Sequence, residues 1–143
     1  MLSIRRGRPP EKVAGELGVP ADQESVLARE NVFWAGEDPV HRVTTWIPWT
    51  IAEGTGLLAA EIPHPYGIHG ILEDRGHVMT RQRETVTARM PAADEETRLR
   101  IRPGVAVLDV WHTSIDQHGI AYELTRFVMR SDLTGLRYDI PVE

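Results

Sequence analysis

The sequence contains no cysteine, which excludes a disulfide framework and any thiolate metal site. It has no apolar run of about 18 residues, so no segment reads as a membrane span. Arg5, Arg6 and Arg8 near the N-terminus are not followed by an apolar stretch, so they do not read as a secretory signal. No G-x-S-x-G, P-loop or dinucleotide fingerprint occurs. The histidines His41, His64, His69, His77, His112 and His118 form no H-x-x-x-H or H-E-x-x-H pair, so no metal site and no cofactor is expected. Positive charge is also short. A net charge of −5 argues against a surface that grips nucleic acid directly. The one basic cluster, Arg5, Arg6, Arg8 and Lys12, is broken by Gly7, Pro9 and Pro10 and reads as a solvated tail.

What remains is a chain of one domain's length with ordinary hydrophobic content, 41%. Its densest stretch runs from Gly104 to Asp132. Val105, Val107, Leu108, Val110 and Trp111 form a β-prone run, Asp116–Gly119 supplies a turn, and Tyr122–Met129 alternates. This predicts a long hairpin. Glu123 falls within its second strand, between Tyr122 and Leu124, and a carboxylate there needs a partner.

Residues 1–12 are expected to be a tail, and 13–143 the folded domain. Helical segments are predicted at Glu11–Leu17 with Gly18 as stop, Pro48–Gly54, Gly56–Glu61 with Thr55 as cap, Tyr66–Arg75 and Asp94–Arg100. Strands are predicted at Ser25–Trp34, Val40–Ile47, His77–Met90 and Leu136–Val142, besides the hairpin. No internal repeat is evident. Mostly antiparallel strands with interspersed helices predict an α+β fold, one sheet with helices on one face.

Several short motifs in order resemble UTRA domains, the effector-binding halves of GntR-type transcription regulators of the HutC subfamily. They are GEDPVHRVTTWIP (36–48), AEGTGL (52–57), YGIHGILEDRGH (66–77), TRQRETVTARMPAADE (80–95), LRIRPGVAVLDVWHTSIDQHGIAYEL (99–124) and Arg130-Ser131-Asp132. The resemblance implies a chorismate-lyase-like fold with a six-stranded antiparallel sheet, a small-molecule pocket between sheet and helices, homodimerisation and a bacterial, cytoplasmic setting. It implies that operator DNA is bound by a separate winged-helix domain, which this chain lacks, and not by this chain. Whether the chain is a truncated form or a natural stand-alone sensor stays open.

The resemblance also suggests site residues. Glu123 stands at the glutamate that looks onto the effector; a salt bridge to Arg81 or Arg83 is the alternative. Thr125, Phe127 and Met129 share its strand face. Gly67 and His69 stand where some relatives use Ser and Tyr on a ligand phosphate. His41, Val43 and Thr45 would line the same cavity, with Trp46 facing away. Arg81 is the remaining cation for an acidic ligand, or a surface residue. The Arg-x-Arg clamp of sugar-phosphate sensors falls on Asn31 and Phe33, with Arg29 set two positions back. Its absence, with Phe33 as an apolar wall, favours an aromatic or hydrophobic effector over a phosphosugar. The expectation is a sensor that does not catalyse. A chorismate-lyase-like enzyme, with Glu123 as acid and Arg81 as anchor, and a ligand-free dimerisation module are the other readings.

Overall fold

A computed structural model describes residues 2–143. The chain runs β1 (Ser3–Gly7), α1 (Glu11–Leu17), β2 (Val26–Ala35), β3 (Asp38–Pro48), α2 (Trp49–Ala52), a 3-10 turn (Gly56–Leu58), α3 (Gly67–Asp74), β4 (Met79–Arg89), α4 (Ala93–Leu99), β5 (Val107–Asp116) and β6 (Ala121–Arg130). The strands form a six-stranded sheet in the order β1-β2-β3-β6-β5-β4. Every adjacent pair is antiparallel. This is the α+β, six-stranded antiparallel architecture expected.

Local chemistry explains the elements. In α1, Val13, Ala14 and Leu17 form the buried stripe, and Gly18 closes the helix in the left-handed region at φ 65°. The Thr55 hydroxyl accepts from the Leu57 N–H and so starts the 3-10 turn. At the start of α4, Glu95 reaches back to accept from the Ala92 N–H at 2.8 Å. The β5–β6 hairpin turns where Asp116 Oδ1 accepts from the N–H groups of His118 and Ile120, at 2.9 and 3.0 Å.

The order of elements shows a repeat that the residue types do not. The unit strand–helix–strand–strand occurs twice, as β1-α1-β2-β3 and as β4-α4-β5-β6. The sheet order reads the same from either edge once β1, β2 and β3 are exchanged for β4, β5 and β6. Leu17-Gly18-Val19 after α1 corresponds to Leu99-Arg100-Ile101 after α4, and both helices end in a left-handed residue. The expectation of no internal repeat is therefore corrected at the level of topology.

Side-chain alternation assigns the two faces. On one face α1 packs Val13 and Leu17 against Val26, Trp46 and Leu124. On the same face Leu99 of α4 packs with Val107 and Val128. The opposite face carries Leu27 and Ile47, closed at one end by Ala52, Leu57, Ile71 and Leu72 from α2, the 3-10 turn and α3. The one-face expectation is thus refined: the helices form two groups.

Two expectations about the ends change. Ser3–Gly7, expected within the tail of residues 1–12, is strand β1 and pairs with β2 from Ser3↔Glu30 to Gly7↔Val26. Ladder hydrogen bonds, together with Ile4 packed on the core, outweigh its polar composition. Leu136–Val142, expected as a strand, joins no ladder. It is held by side chains instead: Thr134 Oγ1 meets His41 Nε2 at 3.1 Å, and the Tyr138 hydroxyl donates to Glu84 at 2.5 Å.

Candidate functional site

The face opposite α1 and α4 carries a row of polar side chains across five strands. Register places Arg29 (β2) opposite Thr45 (β3), Thr45 opposite Thr125 (β6), Thr125 opposite His112 (β5), and His112 opposite Glu84 (β4). Thr45 and Thr125 share a hydroxyl hydrogen bond of 2.9 Å. His112 Nδ1 lies 3.2 Å from Glu84 Oε1. One step along β6, Glu123 accepts from Ser114 Oγ at 2.6 Å and from the Thr125 hydroxyl.

Burial makes this row chemically unusual. Glu123 is 2% exposed and Arg29 3%. Neither ion pairs with the other or with any described residue within salt-bridge distance. The Arg29 guanidinium donates to the carbonyls of Leu57, of Ala59 at 2.7 Å and of Ala60 at 3.2 Å. Its Nε–H is buried without a partner. Burial pulls the Arg29 guanidinium below its ordinary value, yet arginine stays charged in proteins. A buried cation held only by carbonyls, on the same sheet face as a buried carboxylate held only by hydroxyls, is costly for folding alone.

The row is framed on two sides. The α2–α3 layer covers the Leu27 and Ile47 end. The C-terminal segment crosses the other side, from Thr134 at His41 on β3 to Tyr138 at Glu84 on β4. The Tyr138 hydroxyl and His112 together hold the Glu84 carboxyl below its usual range. Burial depresses the basicity of His41.

Thr45, Thr125 and Glu123 are thus brought together by direct hydrogen bonds. Val43 and Phe127 are cross-strand partners in the next row, and His41 and Met129 in the row beyond. Phe33 pairs with His41 and is 48% exposed, so it forms a rim, not the apolar wall expected. Trp46 faces away, stacked on Trp111 at a centroid distance of 5.8 Å. Gly67 opens α3 and His69 lies on that helix, exposed. Arg81 is exposed on the edge strand beside the β4 irregularity, opposite Ile115, and makes no ion pair with Glu123. Arg83 bonds Glu16 at 3.0 Å, so Glu123's partners are hydroxyls and not either arginine. Arg29, set aside in the sequence as two positions back from the clamp, stands in this row, and Ser114, His112 and Glu84 join it without having been singled out. The signal for Arg29 was an arginine at a position whose alternation with Leu27 and Val26 marked the strand as buried.

A six-stranded antiparallel sheet with helices grouped on its faces defines an α+β class of domain. Comparison identifies the family: the chain matches the UTRA domain over residues 1–134 and belongs to that family. It is 28% identical over 98% of its length to an uncharacterised HTH-type transcriptional regulator of Streptomyces coelicolor, and covers 52% of that protein. The chain therefore spans about half the length of that curated relative. Among solved structures it resembles a GntR-family transcriptional regulator of Enterococcus faecalis, with TM-score 0.84, 21% identity and 97% of each chain covered. It also resembles the effector domain of PhnF from Mycobacterium smegmatis, with TM-score 0.76, 25% identity, 96% of this chain and 85% of the other. No helix is long and apolar enough to cross a membrane among the described residues.

Proposed function

We propose that this chain is the effector-binding domain of a GntR-type transcription regulator of the HutC subfamily, acting as a homodimer in the bacterial cytoplasm. Small-molecule binding on the Arg29–Thr45–Thr125–Glu123 row alters DNA binding by a separate winged-helix domain. The observation that carries this reading is the pair of buried, mutually unpaired charges, Arg29 and Glu123, on one framed face. Such charges are retained where a ligand completes them.

The same observation shapes the effector. Arg29 suits an acceptor or anionic group, while Glu123 suits hydroxyl or amine donors. A polar molecule bearing both fits better than the hydrophobic one that Phe33 suggested. Access requires displacement of the Leu57–Ala60 carbonyls or of the C-terminal segment, and this displacement is the conformational difference a sensor needs. Gly67, His69 and Arg81 belong to the mouth of the site in this reading, with Val43, Phe127, His41 and Met129 lining its far side and Phe33 at its rim.

A thermal-shift screen against a metabolite library tests it, with Glu123→Gln beside the native chain. An effector at about a hundredfold excess over its dissociation constant adds about 2.7 kcal/mol of stability by mass action. A ligand bound without turnover, and lost in Glu123→Gln, supports the assignment. Conversion of the ligand to product overturns it in favour of an enzyme. A stable dimer with no ligand across the library overturns it in favour of a dimerisation module.

A further inference from the structure

The opposite face of the sheet holds a second cleft. Between α1 and α4 lies a cavity of about 490 Å³, floored by β2, β3 and β6 and rimmed by β1. Small-molecule pockets run from roughly 300 to 1,000 Å³. The cleft is separate from the polar row: its floor is Val26, Ala28, Thr44, Trp46 and Val128, whose side chains alternate with Leu27, Arg29, Thr45 and Thr125.

Charge distinguishes this cleft from the rest of the surface. The chain has a net charge of −5. Yet the cleft is lined by four arginines, Arg5, Arg8, Arg42 and Arg126, against two carboxylates, Glu30 and Glu95. The inner groups are already engaged. Arg42 pairs with Glu30 and Asp94, both at 2.8 Å. Arg126 pairs with Asp109 at 2.7 Å, and Glu95 with Arg89 at 2.7 Å. The guanidiniums of Arg5 and Arg8 remain, with no side-chain hydrogen bond or ion pair among the described residues. Two free guanidiniums at one concave rim focus an anion-attracting field.

We propose that this cleft is a second ligand site, for a small organic dianion. The dianionic end, a phosphate monoester or a dicarboxylate, lies between Arg5 and Arg8. A flat apolar body lies on Ala28, Val128 and the accessible edge of Trp46, with the hydroxyls of Ser3 and Thr44 at its margin. Nucleic acid is the poorer occupant, because two unpaired guanidiniums at one concave rim match a single dianionic head and a chain of net charge −5 offers no basic face for a phosphate ladder. Arg5 lies on a short edge strand and Arg8 just beyond it, so the site also reports on the register of β1 against β2.

The test is titration calorimetry with tryptophan fluorescence, using phenyl phosphate, phthalate and neutral benzyl alcohol as probes at low salt. The expected result is saturable binding of at least one dianion below about 1 mM, with no saturation by benzyl alcohol. In the Arg5→Gln/Arg8→Gln double variant, whose replaced side chains are exposed and whose melting temperature should be unchanged, affinity should fall by about tenfold or more. Binding of phenyl phosphate alone marks a phosphate site, and of phthalate alone a dicarboxylate site; either supports the proposal. Failure of both dianions to saturate, or undiminished affinity in the double variant, overturns it.

Discussion

Ser114 Oγ donates to Glu123 Oε2 at 2.6 Å, and both side chains are closed off from solvent. Thr125 donates to the other carboxylate oxygen. The two hydroxyls satisfy part of what the carboxylate would otherwise take from water, and they have no other acceptor as strong. Replacing Glu123 with Ala should therefore leave buried donors unmet and cost roughly 1–3 kcal/mol. Glu123→Gln keeps an acceptor and should cost less. Urea unfolding of the two variants checks the order; an alanine variant as stable as the native chain contradicts it.

His41 predicts a pH dependence. Burial lowers its folded-state pKa, so between that value and the ordinary histidine range near 6.5 the unfolded chain binds more protons. Stability is then fully present above about pH 6.5 and declines as pH falls through the folded value. Because His41 meets Thr134, amide exchange in residues 133–138 should quicken in step. A His41→Asn variant should flatten this part of the profile, and an unchanged slope in the variant would rule out His41 as its source.

The two helix ends give opposite expectations. Gly18 has φ 65° and nothing within 4 Å of an added Cβ, so Gly18→Ala should lose about 1 kcal/mol through backbone conformation alone. Arg100 sits at φ 51°, the left-handed region, without being glycine. Arg100→Gly relieves that conformation but gives up the contact with the Trp34 ring at 5.3 Å and the bond to the Glu37 carbonyl. It should be neutral to mildly stabilising, by up to about 1 kcal/mol. Melting temperatures of the two variants should move apart; a parallel fall would refute the backbone account.

Asp109 on β5 ties β4 to β6 by accepting from Arg89 at 3.0 Å and from Arg126 at 2.9 and 2.7 Å, and Arg89 in turn holds Glu95 of α4. Burial pushes the Asp109 carboxyl up, but the hydrogen bonds and charges of the two arginines outweigh it and hold it below its usual range. Both guanidiniums are about a third exposed, so solvent screens part of the interaction. Asp109→Asn should cost about 2 kcal/mol at neutral pH. Its cost should shrink in acid, as the native carboxyl protonates. A cost independent of pH would show that packing, not charge, is what the residue contributes.

The elements were legible where local signals agreed with packing. The left-handed stop at Gly18, the Thr55 cap and the Asp116–Gly119 turn each act within a few residues, and the alternation of Tyr122–Met129 matches a strand buried on both faces. Ser3–Gly7 misled because its partner, β2, lies across a helix, and ladder pairing is not written in a polar pentapeptide. Leu136–Val142 misled in the other sense: it alternates like a strand, yet the segment from Thr134 to Tyr138 crosses the sheet on side-chain contacts to His41 and Glu84 and joins neither edge. The topological repeat was hidden because only pairs such as Leu17 and Leu99 survive in both halves. For the site, strand alternation placed Glu123 and Thr125 on one face of β6 and the resemblance put Thr45 in the same cavity, but Arg29 depends on register across β2 and β3 and on the Leu57–Ala60 carbonyls, which alternation does not encode.

The sensor role requires that a small molecule bind on the Arg29–Glu123 face. The most direct measurement is an NMR chemical-shift map of the chain with a ligand found by the thermal-shift screen. The largest perturbations are expected at Arg29, Thr45, Ser114, Glu123 and Thr125, with smaller ones at Leu57–Ala60 and residues 134–138. Perturbations confined to the α1–α4 cleft or to the exposed β4 edge, with the polar row unmoved, would contradict it.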